Sequence, residues 1–140
     1  MSANSSSSWE KFVHDNLLYA NILDGILLLT SFGEQVYSWG PKIHDDECVQ
    51  FKGIFNSVTE KQDLAICQEG FTLKKDENTK VHYSVYKKSL CSMYCMSENR
   101  QNGLIVCNLP YGILVTTYSQ PARAQDAIEL VENACTLLRS

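Results

Sequence analysis

The sequence has 140 residues, a length that favours one domain over two. Hydrophobic residues make up 44% and charged residues 20%, which excludes a disordered polar chain. The formal net charge of −4, without a basic stripe, argues against a nucleic-acid binder, and the longest apolar run is far shorter than the ~20 residues that a membrane-spanning helix needs.

The N-terminal segment divides into a polar tail and a helix. Residues 1–7 are rich in serine and have no means of burying themselves, so we expect a disordered tail. Ser7 and Glu10 have the spacing of a capping box, and apolar residues recur at helical intervals from Trp9 onward. A short helix is therefore predicted to begin near Ser8, and a single domain is predicted to span residues 8–140.

A hairpin and a second helix are predicted next. The apolar run over residues 26–29 and the segment 35–39 are separated by a Ser-Phe-Gly turn, which is typical of two antiparallel strands. Residues 45–55 place Cys48, Phe51 and Ile54 on one face of a helix, so a middle helix is predicted there.

The second half of the chain, from Gly70 onward, has the pattern of β-structure. Its short segments are rich in β-branched and aromatic residues and are bounded by Asn, Gly, Pro or Lys. Five strands are predicted, over residues 71–73, 81–86, 91–96, 103–107 and 112–118.

The apolar period changes again after Pro121. Ala127, Val131 and Cys135 fall on one side of a helix that ends near Arg139, so an amphipathic C-terminal helix is predicted. The order of elements predicts an α+β fold class with a central antiparallel β-sheet, on one face of which the N- and C-terminal helices pack side by side.

Six cysteines would allow three disulfide bridges by count alone. However, no secretion signal places them in an oxidising compartment, and no C-x-x-C pair indicates a metal site. We therefore expect a cytoplasmic protein whose free thiols pack as small hydrophobic side chains, with no metal and no cofactor.

Several segments of the chain resemble the profilin family when they are taken together. Residues 8–17, Ser-Trp-Glu-Lys-Phe-Val-His-Asp-Asn-Leu, are similar to the opening helix of profilins, and residues 103–118 are similar to the last hairpin of fungal and plant profilins. Residues 70–73 resemble the strand that opens the second half of the family fold, and Pro121 begins a segment that resembles its final helix. The resemblance covers residues 8–140, with an insertion near Lys74 to Thr79.

This resemblance implies a fold and a set of partners. The fold would have the terminal helices on one face of the sheet and smaller helices on the other. The protein would be a monomer on the cytoskeleton that binds monomeric actin and proline-rich proteins such as actin nucleation or elongation factors. Phosphoinositide binding would be weak, because the chain is acidic.

The resemblance also implies a polyproline groove between the terminal helices, where a preformed proline helix docks its rings on aromatic faces. The residues implied are Trp9, Phe12, Tyr37, Leu137 and Leu138. The alternative is that the three aromatic residues are core residues, although Val13 and Leu17 already supply an inward pair. Trp39 shares a strand face with Tyr37 and is an alternative to it.

The actin face of the family is the surface from which this sequence departs. By resemblance it falls on Lys87, Met96, Arg123, Gln125, Ile128 and Glu129. Met96 and Glu129 stand where basic residues are common in the family, so we expect weakened actin binding. Lysines 74, 75 and 80 would either rebuild the interface or form a solvated loop.

Two other functions remain as alternatives. A longin- or roadblock-like trafficking scaffold also packs helices against a small antiparallel sheet. A cysteine hydrolase would need a nucleophile and a base, but His14, His44 and His82 lie in no nucleophile elbow, metalloprotease motif or phosphate-binding glycine loop. We therefore expect no enzymatic activity.

Overall fold

One antiparallel sheet organises the molecule in the computed structural model, which describes residues 2–56 and 59–140 and the side chains from Ser8 onward. The strands in these ranges are β1 (Leu23–Leu29), β2 (Gln35–Trp39), β3 (Phe71–Lys74), β4 (Lys80–Lys88), β5 (Ser92–Ser97), β6 (Asn102–Leu109) and β7 (Gly112–Ser119). Their order across the sheet is β2-β1-β7-β6-β5-β4-β3, so β1 joins the N-terminal hairpin to the meander formed by the other strands. Each neighbouring pair is antiparallel.

Helices cover both faces of this sheet. On one face lie α1 (Ser2–Val13), which continues into a π-helical turn at His14–Leu18, and α4 (Ala124–Arg139). The opposite face carries α2 (Asp45–Cys48), a 3-10 turn at Val49–Phe51, and α3 (Glu60–Glu69). The central strands therefore bury both of their faces, which is why their sequences read as continuous apolar runs instead of alternating ones.

The alternation of side chains along each strand separates two hydrophobic cores. Leu28 and Leu114 face each other in the register of β1 and β7 and belong to the core beneath the terminal helices. Leu27 and Val115, one residue away, belong to the core on the opposite face. The predicted α+β class, with terminal helices on one face and smaller helices on the other, is confirmed.

The helix bounds differ from the sequence prediction at two places. The backbone of α1 begins at Ser2, ahead of the predicted start near Ser8. The tail predicted over residues 1–7 overlaps the start of this helix. Met1 and the side chains of residues 2–7 lie outside the described residues, so the disorder of this tail stays a prediction. The middle helix is regular only as far as Cys48, since a 3-10 turn follows it and the chain then turns.

Helix α3 was not predicted from the sequence at all. It buries none of its residues completely, so it lacks the apolar stripe on which a periodicity argument depends. A local signal does exist, because Thr59 caps the helix in a capping box with Gln62: the Gln62 backbone N–H donates to the Thr59 hydroxyl over 3.1 Å.

The five strands predicted after Gly70 are all present, and most are longer than predicted.

The insertion at Lys74 to Thr79 forms the turn between β3 and β4, in which the Lys75 backbone N–H donates to the Thr79 carbonyl over 2.8 Å. The Asp76 carboxylate accepts from the Asn78 backbone N–H, and this hydrogen bond lowers the pKa of Asp76.

Two further observations concern the chain as a whole. Each of the six cysteines, all of them among the described residues, is a free thiol. Among the helices that the structure describes, we find none with the length and apolarity to cross a membrane.

Candidate functional site

A shallow apolar groove lies between α1, β2 and the end of α4. Its lining combines part of the core with side chains at the edge of that core: Trp9, Phe12, Val13, Leu17, Ile26, Leu28, Tyr37, Leu114 and Leu138. Four of the five residues that the resemblance assigned to a polyproline groove are in this lining.

The first helix supplies two rings to the groove. Trp9 and Phe12 are three residues apart, so they share a helix face, and their ring centroids lie 6.3 Å apart in an edge-to-face arrangement. Both side chains are half-buried against the core, whereas Val13 and Leu17 on the same helix are fully buried. The helix therefore divides its apolar residues between the core and an accessible aromatic edge.

Strand β2 supplies the third ring. Tyr37 pairs with Leu28 of β1 and is the half-buried residue in the middle of an edge strand that is otherwise exposed. Burial and the nearby Glu10 carboxylate raise the pKa of Tyr37, so its phenol stays protonated near neutral pH. Trp39 shares this sheet face, since it pairs with Ile26, but it lies outside the groove lining.

The last turn of α4 separates its two leucines. Successive helix residues point about 100° apart, so Leu137 and Leu138 cannot face the same surface. Leu138 lines the groove, whereas Leu137 is 57% exposed and is not part of the lining. The structure thus brings Leu138 to the predicted groove and leaves Leu137 outside it.

Tyr111 is an aromatic neighbour of the groove that sequence reasoning missed. It lies in the turn between β6 and β7, and its ring centroid is 5.8 Å from that of Trp9. The ring is 49% exposed, and partial burial raises the pKa of Tyr111. The available signal was an aromatic residue in the hairpin turn Pro110-Tyr111-Gly112, where a polar residue is usual.

A second surface lies at the N-terminal end of α4. A cavity of about 330 Å³ is lined there by Met96 of β5, Arg123 before α4, and residues of the loops between β5, β6, β7 and α4. Of the six residues that the resemblance assigned to an actin face, the structure brings Met96 and Arg123 together here. Arg123 Nε lies 3.2 Å from a carboxylate oxygen of Asp126, so its charge is shared with an acidic neighbour.

Two further residues of the predicted actin face are Lys87 of β4 and Ile128 of α4. Lys87 pairs with Tyr94 in the sheet, and its Nζ lies 6.0 Å from the centroid of the Tyr94 ring, close enough for a cation–π interaction. Ile128 is half-buried and packs, like Tyr94, against the core beneath the terminal helices. The exposed ring of Tyr86, 6.5 Å from that of Tyr94, extends this surface.

Gln125 and Glu129 point away from the sheet on the exposed side of α4. Glu129 borders a shallow depression that also includes Tyr19, Ala20 and Ile22. Lys87 of β4 does not line this depression and lies instead beside Tyr94, so the structure places Glu129 and Lys87 in different parts of the surface.

Comparisons with known proteins agree with this architecture. The model of the profilin family matches residues 7–140. This match favours the predicted family over the alternative of a longin- or roadblock-like scaffold. No curated protein matches the chain.

Solved structures are similar in fold at low sequence identity. Acanthamoeba castellanii profilin IB is 23% identical with a TM-score of 0.75, over 93% of this chain and 95% of that one. A complex of LokiProfilin1 with rabbit actin contains a chain that is 16% identical with a TM-score of 0.73, over 96% of both chains. Mouse profilin IIa, solved in complex with a double repeat from the FH1 domain of mDia1, is 14% identical with a TM-score of 0.64, over 94% of this chain and 96% of that one.

Proposed function

Because this chain belongs to the profilin family, we propose that it is a cytoskeletal regulator that binds proline-rich segments on one surface and monomeric actin on another. In this role it is a binding protein of the cytoplasm and not an enzyme. Support comes from two structural neighbours, since mouse profilin IIa is solved with an FH1 repeat and LokiProfilin1 with rabbit actin.

The aromatic groove is the observation that carries the proline-binding part of this proposal. A proline-rich segment already adopts the left-handed polyproline helix, so docking it on aromatic faces costs little conformational entropy. Trp9, Phe12 and Tyr37 present rings above an apolar floor, and Leu138 closes the groove from α4. Tyr111 extends the aromatic surface beyond Trp9.

A titration with oligoproline tests this part of the function. The chain has two tryptophans, and Trp9 is the one that lines the groove. We therefore expect oligoproline to change tryptophan emission in a saturable way, and the change to remain in a Trp39→Phe variant. No saturable change in the folded wild type, or a change that disappears with Trp39→Phe alone, would contradict the proposal.

The actin-binding part rests on the surface beside α4. Lys87, Tyr86 and Ile128 form one side of this surface, and the cavity with Met96 and Arg123 forms its end. We assign Gln125 and Glu129 to its outer rim, where charges act mainly on association rate. The Arg123–Asp126 ion pair reduces the positive charge that is available to a partner, which supports weakened binding.

Binding to monomeric actin is measured directly by the fluorescence of labelled actin or by the inhibition of its polymerisation. The two partners should bind independently, because the aromatic groove and the α4 surface have no lining residue in common. Full actin affinity in the presence of saturating oligoproline is the expected result. Mutual displacement would show that the two surfaces have been assigned wrongly.

A further inference from the structure

Two thiols and a carboxylate meet between α4 and the sheet, next to Tyr94. Cys107 lies on β6, and Glu132 and Cys135 lie three residues apart on the adjoining side of α4. One donor atom from each residue lies within 4.8 Å of the others. Both cysteines are 0% exposed, while Glu132 is half-buried and gives the cluster a connection to solvent.

The Glu132 carboxylate is held in place by neighbouring hydroxyl groups. The Tyr94 phenol donates to Oε2 over 2.7 Å, and the Ser92 hydroxyl lies 3.1 and 3.2 Å from the two oxygens. The Cys107 thiol is 3.6 Å from Oε1. Oriented carboxylates of this kind, supported by donors from a surrounding shell, are typical of built metal sites.

The end of α4 adds a positive charge beside the cluster. Arg139 donates to the backbone carbonyls of Asn108 and Cys91, which fixes its guanidinium at the end of the helix. Thiols bind a metal as thiolates, so Zn²⁺ binding here would release the protons of Cys107 and Cys135, and the guanidinium at the end of α4 favours the negative charge that is left.

We propose that Cys107, Glu132 and Cys135 form a binding site for one Zn²⁺ ion. Two thiolates and one carboxylate suit the borderline-soft character of Zn²⁺, and three protein ligands leave a fourth position for water. Bond lengths of about 2.0–2.3 Å place the donors of a tetrahedral Zn²⁺ site within roughly 4 Å of one another. The donors of the present cluster, within 4.8 Å of one another, lie close to that spacing.

An ion at this position would join α4 to β6 across their packing interface. The ligands come from two elements that are distant in sequence, so the metal would bind the folded chain much more tightly than the unfolded one. Zn²⁺ should therefore stabilise the fold. This differs from the sequence expectation of no metal site, which considered only ligands close together in the chain.

Spectroscopic titration with Co²⁺ tests the site in the full chain, freed of metal by a chelator and kept reduced. We expect one equivalent of Co²⁺ to produce sulfur-to-cobalt charge-transfer absorption and the visible bands of a tetrahedral site, and Zn²⁺ to displace it. Cys107→Ala and Cys135→Ala should abolish the charge-transfer signal. Glu132→Gln, which keeps the size of the side chain, should weaken binding by about tenfold or more.

Two cysteine variants serve as matched controls. Cys95→Ala removes an equally buried thiol from the opposite core, and Cys91→Ala removes an exposed thiol. Both control variants should bind Co²⁺ as the wild type does. In a separate thermal unfolding experiment, Zn²⁺ should raise the melting temperature of the wild type but not that of Glu132→Gln. Absence of a charge-transfer signal in the folded wild type, its loss in either control, or unchanged binding by Glu132→Gln would overturn the proposal.

Discussion

Trp9 of the first helix and Tyr111 of the last hairpin turn place their rings 5.8 Å apart, at a tilt of 41°. The Phe12 ring, from the same helix as Trp9, lies 6.3 Å from the Trp9 ring. Trp9 is therefore the ring that links Phe12 of α1 to Tyr111 of the turn between β6 and β7.

Replacing Trp9 with alanine should weaken oligoproline binding by about 2 kcal/mol, because a central aromatic anchor carries much of the energy of such an interface. This corresponds to a loss of about thirtyfold in affinity. Calorimetric titration measures it, and Trp39→Ala on the same sheet face is the matched control, expected to bind normally. Equal affinity of folded Trp9→Ala and wild type would remove Trp9 from the groove.

Replacing Tyr111 with alanine should have a smaller effect, about 1 kcal/mol, because its ring is half-exposed and contacts the groove through Trp9. Tyr111→Phe keeps the ring and should bind as the wild type does. The same oligoproline titration distinguishes the two variants. If Tyr111→Phe loses as much affinity as Tyr111→Ala, the hydroxyl group matters and ring packing is not the cause.

Reversing the charge of Lys87 should weaken binding to monomeric actin by about 1 kcal/mol at low salt, with a smaller effect at high salt. The reason is that Lys87 is a cation on the α4 surface assigned to actin. Lys61→Glu makes the same charge change on α3, across the sheet, and should leave binding nearly unchanged. Polymerisation assays at two ionic strengths measure both, and equal effects of the two variants would show a non-specific charge effect.

Gly103→Ala should destabilise the fold by about 2 kcal/mol, since overpacking a core contact typically costs 1–3 kcal/mol. Gly103 pairs with Tyr118 across β6 and β7, and a Cβ at this position would overlap the Tyr118 ring. Urea unfolding measures the change. In a Tyr118→Leu background the same substitution should cost clearly less, so strictly additive losses would contradict this explanation.

Stability at alkaline pH should depend on Tyr83. Burial raises the pKa of Tyr83 to about 12, against about 10 in the unfolded chain, so folding favours the neutral phenol. Its contribution is fully present below pH 10 and is lost as the pH rises from about 10 towards 12. Tyr83→Phe should therefore lose less free energy of unfolding over this range than the wild type, whereas Tyr19→Phe, at an exposed position, should behave as the wild type. Parallel losses in Tyr83→Phe and wild type would exclude Tyr83 as the cause.

Local patterns of the sequence were sufficient for most of the secondary structure. The hairpin of β1 and β2 follows from two apolar segments and one turn, and α4 follows from its helical period after Pro121. The family resemblance predicted that Trp9, Phe12, Tyr37, Leu137 and Leu138 share a groove, and all of them except Leu137 line it. Helix α3 was missed because a helix without a buried face leaves no periodic signal.

Tertiary structure alone decided which distant residues meet. No spacing within the sequence relates Tyr111 to Trp9, or Cys107 to Glu132 and Cys135, because those contacts depend on how β6 and β7 pack against the terminal helices. The same packing places Glu129 of α4 in one depression with Tyr19 and Lys87 of β4 beside Tyr94, so the two residues lie in different parts of the surface. The period of apolar residues predicts which face of its own helix or strand a residue occupies. It does not predict which other helix or strand packs against that face, because that depends on contacts between elements that are far apart in the chain.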